Sequence, residues 1–121
     1  MQTIYETKVN KIGSMVSAFL EDKMLILFGE NAPAELTDYC LSINVKALAD
    51  DIHNGDVLVL GDKEYRITAV GSAVKQNLSS LGHITLKFDG SESPELPGTL
   101  YLESKDIKEV EEGDLLQVVR K

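Results

Sequence analysis

Two imidazoles, one thiol and a set of hydroxyls are all that this chain offers as nucleophiles of ordinary reactivity. The histidines are His53 and His83. Imidazole suits acceptance and return of a phosphoryl group near neutral pH, because it is nucleophilic when neutral and its unperturbed pKa lies near 6.5. Such a site also needs donors for the phosphoryl oxygens. His83 follows Gly82 and lies close in sequence to Gly71-Ser72, so backbone N–H groups and hydroxyls are near it. Lys87, with Thr85 on the same strand face as His83, is a candidate to steady those oxygens, though it reads first as a solvated strand residue. His53 occupies a polar turn before Gly55. An isolated histidine is more often structural or exposed than reactive. Cys40, between Tyr39 and Leu41, reads as a small core residue, since nothing near it in sequence would depress a thiol pKa.

Other chemistries lack their motifs. There is no phosphate-cradling glycine loop ahead of Lys-Ser/Thr, no cysteine pair or His-Glu spacing for zinc, and no Gly-x-Ser-x-Gly elbow. Neither a metal nor a small-molecule cofactor is expected. The glutamates at 109, 111 and 112 read as a solvated surface.

The elements that must position the histidines are mostly strands. Period-two or continuously apolar segments occur at 4–11, 24–28, 39–45, 57–60, 64–70, 83–88, 99–102 and 115–119. Gly61-Asp62 forms a hairpin turn between two of them, and Asp89-Gly90 punctuates another. Helical spacing appears only at 14–21 and 73–81. Many short strands with glycine turns and little helix predict an all-β fold, a small single-domain β-barrel with one or two short helices, spanning 1–121. Residues 91–97 read as a surface loop. Ile52-His53-Asn54-Gly55-Asp56-Val57-Leu58 is echoed 58 residues later by Val110-Glu111-Glu112-Gly113-Asp114-Leu115-Leu116. The echo hints at a barrel made of two similar halves, or at two independent turns of one type.

The 121 residues suffice for one core without staples. With 12 Lys plus Arg against 20 Asp plus Glu, the net charge of −8 excludes a nucleic-acid binder, disfavours anionic membranes and suits a basic protein partner. A single cysteine fits a reducing compartment, and no apolar run is long enough to span a bilayer. The expected location is the cytoplasm, without membrane insertion. Exposed strand edges would permit a homodimer.

Three segments carry a resemblance. They are residues 24–40, with Ala32-Pro33-Ala34 and Tyr39-Cys40; residues 65–72, with Thr68-Ala69-Val70-Gly71-Ser72; and Leu81-Gly82-His83-Ile84-Thr85-Leu86-Lys87-Phe88-Asp89-Gly90, followed by Pro97-Gly98-Thr99. Ile4-Tyr5 and Ile12-Gly13 also fit. Over residues 2–119 the chain resembles the IIA component of the glucitol/sorbitol-specific phosphotransferase system. The resemblance implies a sugar-transport component that takes a phosphoryl group as phosphohistidine from the phosphocarrier protein HPr. It passes the group to the IIB part of a IIB/IIC membrane permease. The histidine usually phosphorylated in that family falls at position 43, where this chain has Ile43. The adjacent Ser42 would form an ester too stable to be a good donor. The resemblance therefore implies relay through His83, ahead of His53, both of which match histidines of the family pattern. The alternatives are a diverged binding or regulatory domain that is not phosphorylated, and an unrelated activity on the same scaffold.

Overall fold

A computed structural model describes all 121 residues. Eight strands close into a barrel: β1 (Gln2–Ile12), β2 (Met24–Gly29), β3 (Leu41–Ile43), β4 (Val57–Leu60), β5 (Lys63–Val70), β6 (Ile84–Lys87), β7 (Thr99–Leu102) and β8 (Leu115–Arg120). Their order around the wall is β1-β3-β2-β6-β7-β5-β4-β8. The β2/β3 and β6/β7 pairs are parallel and the rest antiparallel. Inward side chains such as Leu25, Leu27, Ile43, Ile67, Leu86 and Leu102 fill the interior. The alternation predicted at 83–88 holds, with Ile84, Leu86 and Phe88 buried. Closure leaves no free sheet edge, so the edge-to-edge pairing of two copies anticipated from sequence has no template.

The helical segments match the sequence spacing at two places, as a 3₁₀ helix (Val16–Asp22) and α2 (Val74–Leu81). A third, α1 (Ala34–Thr37), exceeds the one or two expected; its four residues are too few for a periodic signal.

The echoed turns are one structure used twice. Asp56 Oδ2 accepts the His53 N–H at 2.8 Å, and Asp114 Oδ2 accepts the Glu111 N–H at 2.9 Å. Gly55 and Gly113 take φ of 97° and 92°, which a side chain would resist. Gly55 donates to the Ile67 carbonyl and Ile67 back to Asp56, just as Gly113 donates to Val9 and Val9 back to Asp114.

The repeat runs through the whole barrel. β1, the 3₁₀ helix, β2, β3 and β4 correspond to β5, α2, β6, β7 and β8. Lys8 pairs with Leu115 and, 58 residues along, Arg66 with Val57. α2 is one residue longer than its counterpart (8 against 7), so the middle strands correspond at a spacing of 59. Accordingly Leu27 pairs with Leu41, and Leu86 with Leu100. Bulges fall at matching places, between Val9 and Lys11 and between Ile67 and Ala69. A pseudo-two-fold therefore passes between β2 and β6 and between β4 and β8.

Gly13 and Gly71 are a matched pair within this repeat. A Cβ on Gly13 would collide with the Thr37 and Asp38 carbonyls, and one on Gly71 with those of Leu96 and Pro97. Gly13→Ala and Gly71→Ala should each cost about 1–3 kcal/mol, because backbone must give way. Denaturant midpoints of the two variants check this, and the two losses should be alike.

Candidate functional site

His83 stands where α2 hands the chain to β6. Gly82, at φ 66°, caps α2 in the left-handed conformation. The Gly82 N–H bonds to the Leu78 carbonyl and the His83 N–H to that of Asn77. This paired capping pattern stops the helix and turns the chain into the strand. His83 then faces outward, since its successor Ile84 is buried.

The antiparallel register of β2 and β6 runs from Met24 opposite Lys87 to Leu27 opposite Ile84. The next pair is Phe28 opposite His83. Their rings stack with centroids 4.0 Å apart and planes 12° from parallel. Around them opens a pocket of about 310 Å³, lined by Phe19, Ile26, Phe28, Leu36, Tyr39 and Cys40 beside His83. Phe19 of the 3₁₀ helix and Tyr39 after α1 meet at 5.8 Å and form the far wall. Leu36 and Tyr39 remain substantially exposed, so the apolar rim faces outward.

Burial alone lowers the His83 pKa below the usual imidazole value, with no charge or hydrogen bond contributing. At neutral pH the ring is therefore uncharged and nucleophilic. Cys40 lies in the pocket floor, buried, with a thiol pKa pushed up by that burial. Both features agree with its reading as a core residue.

Ile43, which the resemblance sets opposite the family's usual histidine, is close by. Ile43 lies on β3, fully buried and facing the barrel interior. A Cβ placed on Gly82 would come within 3.4 Å of Ile43 Cδ1. Position 43 thus packs against the residue immediately before His83. Ser42 faces outward and pairs with Phe28 across β2 and β3.

His53 has different surroundings. It is exposed, and its Nδ1 lies 3.3 Å from Arg120 Nη2. The Arg120 guanidinium is already bound by both Asp56 oxygens, by Asp50 and by the Asp51 carbonyl. A dianionic phosphoryl group there would face Asp50 and Asp56 across a guanidinium whose donors are occupied. The structure does not bring the two histidines together: they belong to different faces.

Of the two sequence readings of Lys87, the geometry favours the solvated strand residue. Lys87 and Thr85 do share the outer face of β6 with His83, but they line a separate depression with Met24, Asp89 and Glu95. Four residues of strand put Lys87 about 13 Å from His83 along the backbone. Lys87 and His83 line different depressions. Sequence spacing did not flag Phe28 as a neighbour of His83, because that contact depends on the pairing of strands 55 residues apart. No cluster of metal-ligating side chains is present, and no helix is long and apolar enough to cross a membrane.

Comparison with known proteins places these features in context. The family model for the PTS system glucitol/sorbitol-specific IIA component matches residues 4–117. The chain is 39% identical over 117 residues to the PTS system glucitol/sorbitol-specific EIIA components of Shigella flexneri and Escherichia coli K12, covering 97% of this chain and 95% of each relative. It superposes with TM-score 0.83 and 29% identity on the crystal structure of a PTS system IIA component from Enterococcus faecalis V583, covering 96% of this chain and all of that one.

Proposed function

The chain belongs to the glucitol/sorbitol-specific IIA family of the sugar phosphotransferase system, and from that premise we propose that it relays a phosphoryl group through His83. The observation that carries this reading is the placement of His83: a neutral, half-buried imidazole, stacked on Phe28 and opening into an apolar pocket, beside the point where position 43 packs. The family's usual position holds an inert Ile43, and the neighbouring surface position holds a histidine of the right chemical form.

The step follows from the chemistry of the two imidazoles. The lone pair of one His83 nitrogen forms a bond to phosphorus as the P–N bond of the donor phosphohistidine breaks. The bonding pair returns to the donor imidazole, which takes up a proton. His83 loses the proton on its other nitrogen. The reverse sequence hands the group to the acceptor. The pocket holds no cation, so charge stabilisation of the phosphoryl oxygens falls to the partner. The apolar rim of Phe19, Leu36 and Tyr39 suits a transient protein contact that excludes water and so protects the N–P bond from hydrolysis. Donor and acceptor must use this rim in turn, since one histidine faces both. We assign the donor as the phosphocarrier protein HPr and the acceptor as the IIB part of a IIB/IIC permease, with the relay acting on the cytoplasmic side.

The test is phosphorylation itself. The protein is incubated with phosphoenolpyruvate, the first enzyme of the system and the phosphocarrier, then weighed intact before and after mild acid. An acid-labile phosphate is expected. Its absence, with a working relative as control, would leave a binding or regulatory domain in place of a relay.

The lowered pKa of His83 adds a prediction. A basic group whose pKa is depressed stays neutral to lower pH than free imidazole. The transfer rate should hold level as pH falls to about 6.5 and decline only below it. A decline centred at or above 6.5 in a pH–rate profile would contradict the burial of the ring.

A further inference from the structure

We infer that Phe28 is the positioning residue of the relay, holding the His83 ring by stacking where other histidine sites use a hydrogen bond. The inference rests on the reading of His83 as the phosphoryl carrier.

A reactive histidine is ordinarily oriented through the nitrogen away from the reaction, which donates to a carboxylate or carbonyl. His83 has no such partner; burial is the sole influence on its titration. What fixes the ring plane is the near-parallel stack on Phe28, 4.0 Å away, on an adjacent antiparallel strand. The stack covers one ring face and leaves both nitrogens at the edge.

The internal repeat supplies a control. The pseudo-two-fold carries Phe28 onto Lys87 and His83 onto Met24, which face each other across the same two strands. That equivalent pair needs no aromatic contact to sustain the same backbone. The Phe28–His83 stack is therefore a feature of this site and not a demand of the barrel.

Phe28 also acts on the step itself. As the N–P bond forms, the His83 ring gains positive charge before its other proton leaves. The π face of Phe28 attracts that charge, an interaction that is stronger in the transition state than in the resting ring. Such an interaction raises the rate at saturation and leaves partner affinity unchanged.

Phe28→Leu keeps apolar volume and removes the π face; Phe28→Tyr keeps the π face; Phe28→Met is a second apolar variant should leucine perturb the strand. The readouts are the transfer rate at saturating phosphocarrier, KM for the phosphocarrier, the melting temperature and the His83 ring-proton resonances. Phe28→Leu should slow transfer at saturation about tenfold with KM unchanged. Phe28→Tyr should restore the rate. Ring-proton shifts of His83 should move on losing the aromatic neighbour, while the melting temperature stays near wild type. Leucine and methionine variants that transfer at the wild-type rate, from a wild type phosphorylated on His83, would overturn the positioning role alone. A wild type that never carries phosphate on His83 would overturn the relay reading, and this inference with it.

Discussion

His83→Asn should abolish phosphoryl acceptance, lowering the rate by more than about a thousandfold, as removal of a nucleophile does elsewhere. Asparagine approximates the imidazole in size near the backbone but has no lone pair on nitrogen able to attack phosphorus. The site tolerates the change structurally. His83 is half-buried on the outer face of the barrel and makes no side-chain hydrogen bond, so folding should survive. His53→Asn is the matched comparison. His53 is exposed and touches only the Arg120 cluster, so its replacement should leave transfer intact and stability within about 0.5 kcal/mol. Rapid-quench transfer assays on both variants decide between the histidines. Equal losses in the two would mean that neither acts alone.

Asp56→Ala should carry the largest stability cost, about 3 kcal/mol, seen as a drop in the denaturant midpoint and in melting temperature. The Asp56 side chain is only 5% exposed, so its charge depends on its partners. It accepts from the His53 N–H at 2.8 Å and from Arg120 through both oxygens, at 2.9 and 3.0 Å. Hydrogen bonds to a charged group and the side-chain tie of the turn are lost together. These bonds tie the end of β8 to the loop before β4, across the seam that closes the barrel. At the matching place in the repeat, Asp114 is held by Lys108 at 3.0 Å and is more exposed, so Asp114→Ala should cost less.

The same carboxylate sets a pH dependence. Burial would raise the Asp56 pKa, but the Arg120 and His53 hydrogen bonds outweigh it and hold the group below the ordinary carboxylate value. A depressed folded-state pKa gives stability that is complete above the unfolded value, near 3.9, and is lost as pH falls through the folded one. Asp56 should therefore add to acid resistance in the wild type. In Arg120→Ala only His53, chiefly through its N–H, is left to oppose burial, and acid unfolding should begin at higher pH.

Much of this was readable from the residues themselves. Strand alternation at 83–88 fixed which face His83 takes, and the two Gly-Asp turns announced the repeat. More of the repeat was present than those turns. Ile12-Gly13-Ser14-Met15-Val16 and Val70-Gly71-Ser72-Ala73-Val74 are also 58 residues apart, and a search at that spacing would have found them. The parallel pairing of β2 with β3 and of β6 with β7 was not legible, because short parallel strands carry no local mark of their neighbour. The surroundings of His83 hid for the same reason. His83 and Phe28 meet through the register of β2 and β6, and the apolar pocket gathers side chains from the 3₁₀ helix, α1 and both strands. A shared strand face does not make Lys87 a neighbour of His83, because the distance along that face is about 13 Å.

The most direct test of the account is to locate the phosphate. Wild-type protein charged through the phosphocarrier is digested with trypsin at alkaline pH, where phosphohistidine survives, and its peptides are sequenced by mass spectrometry. The account predicts an acid-labile phosphate on His83, in the peptide spanning residues 76–87. Phosphate on His53, in the peptide spanning 47–63, or an acid-stable phosphate on Ser42 would contradict it.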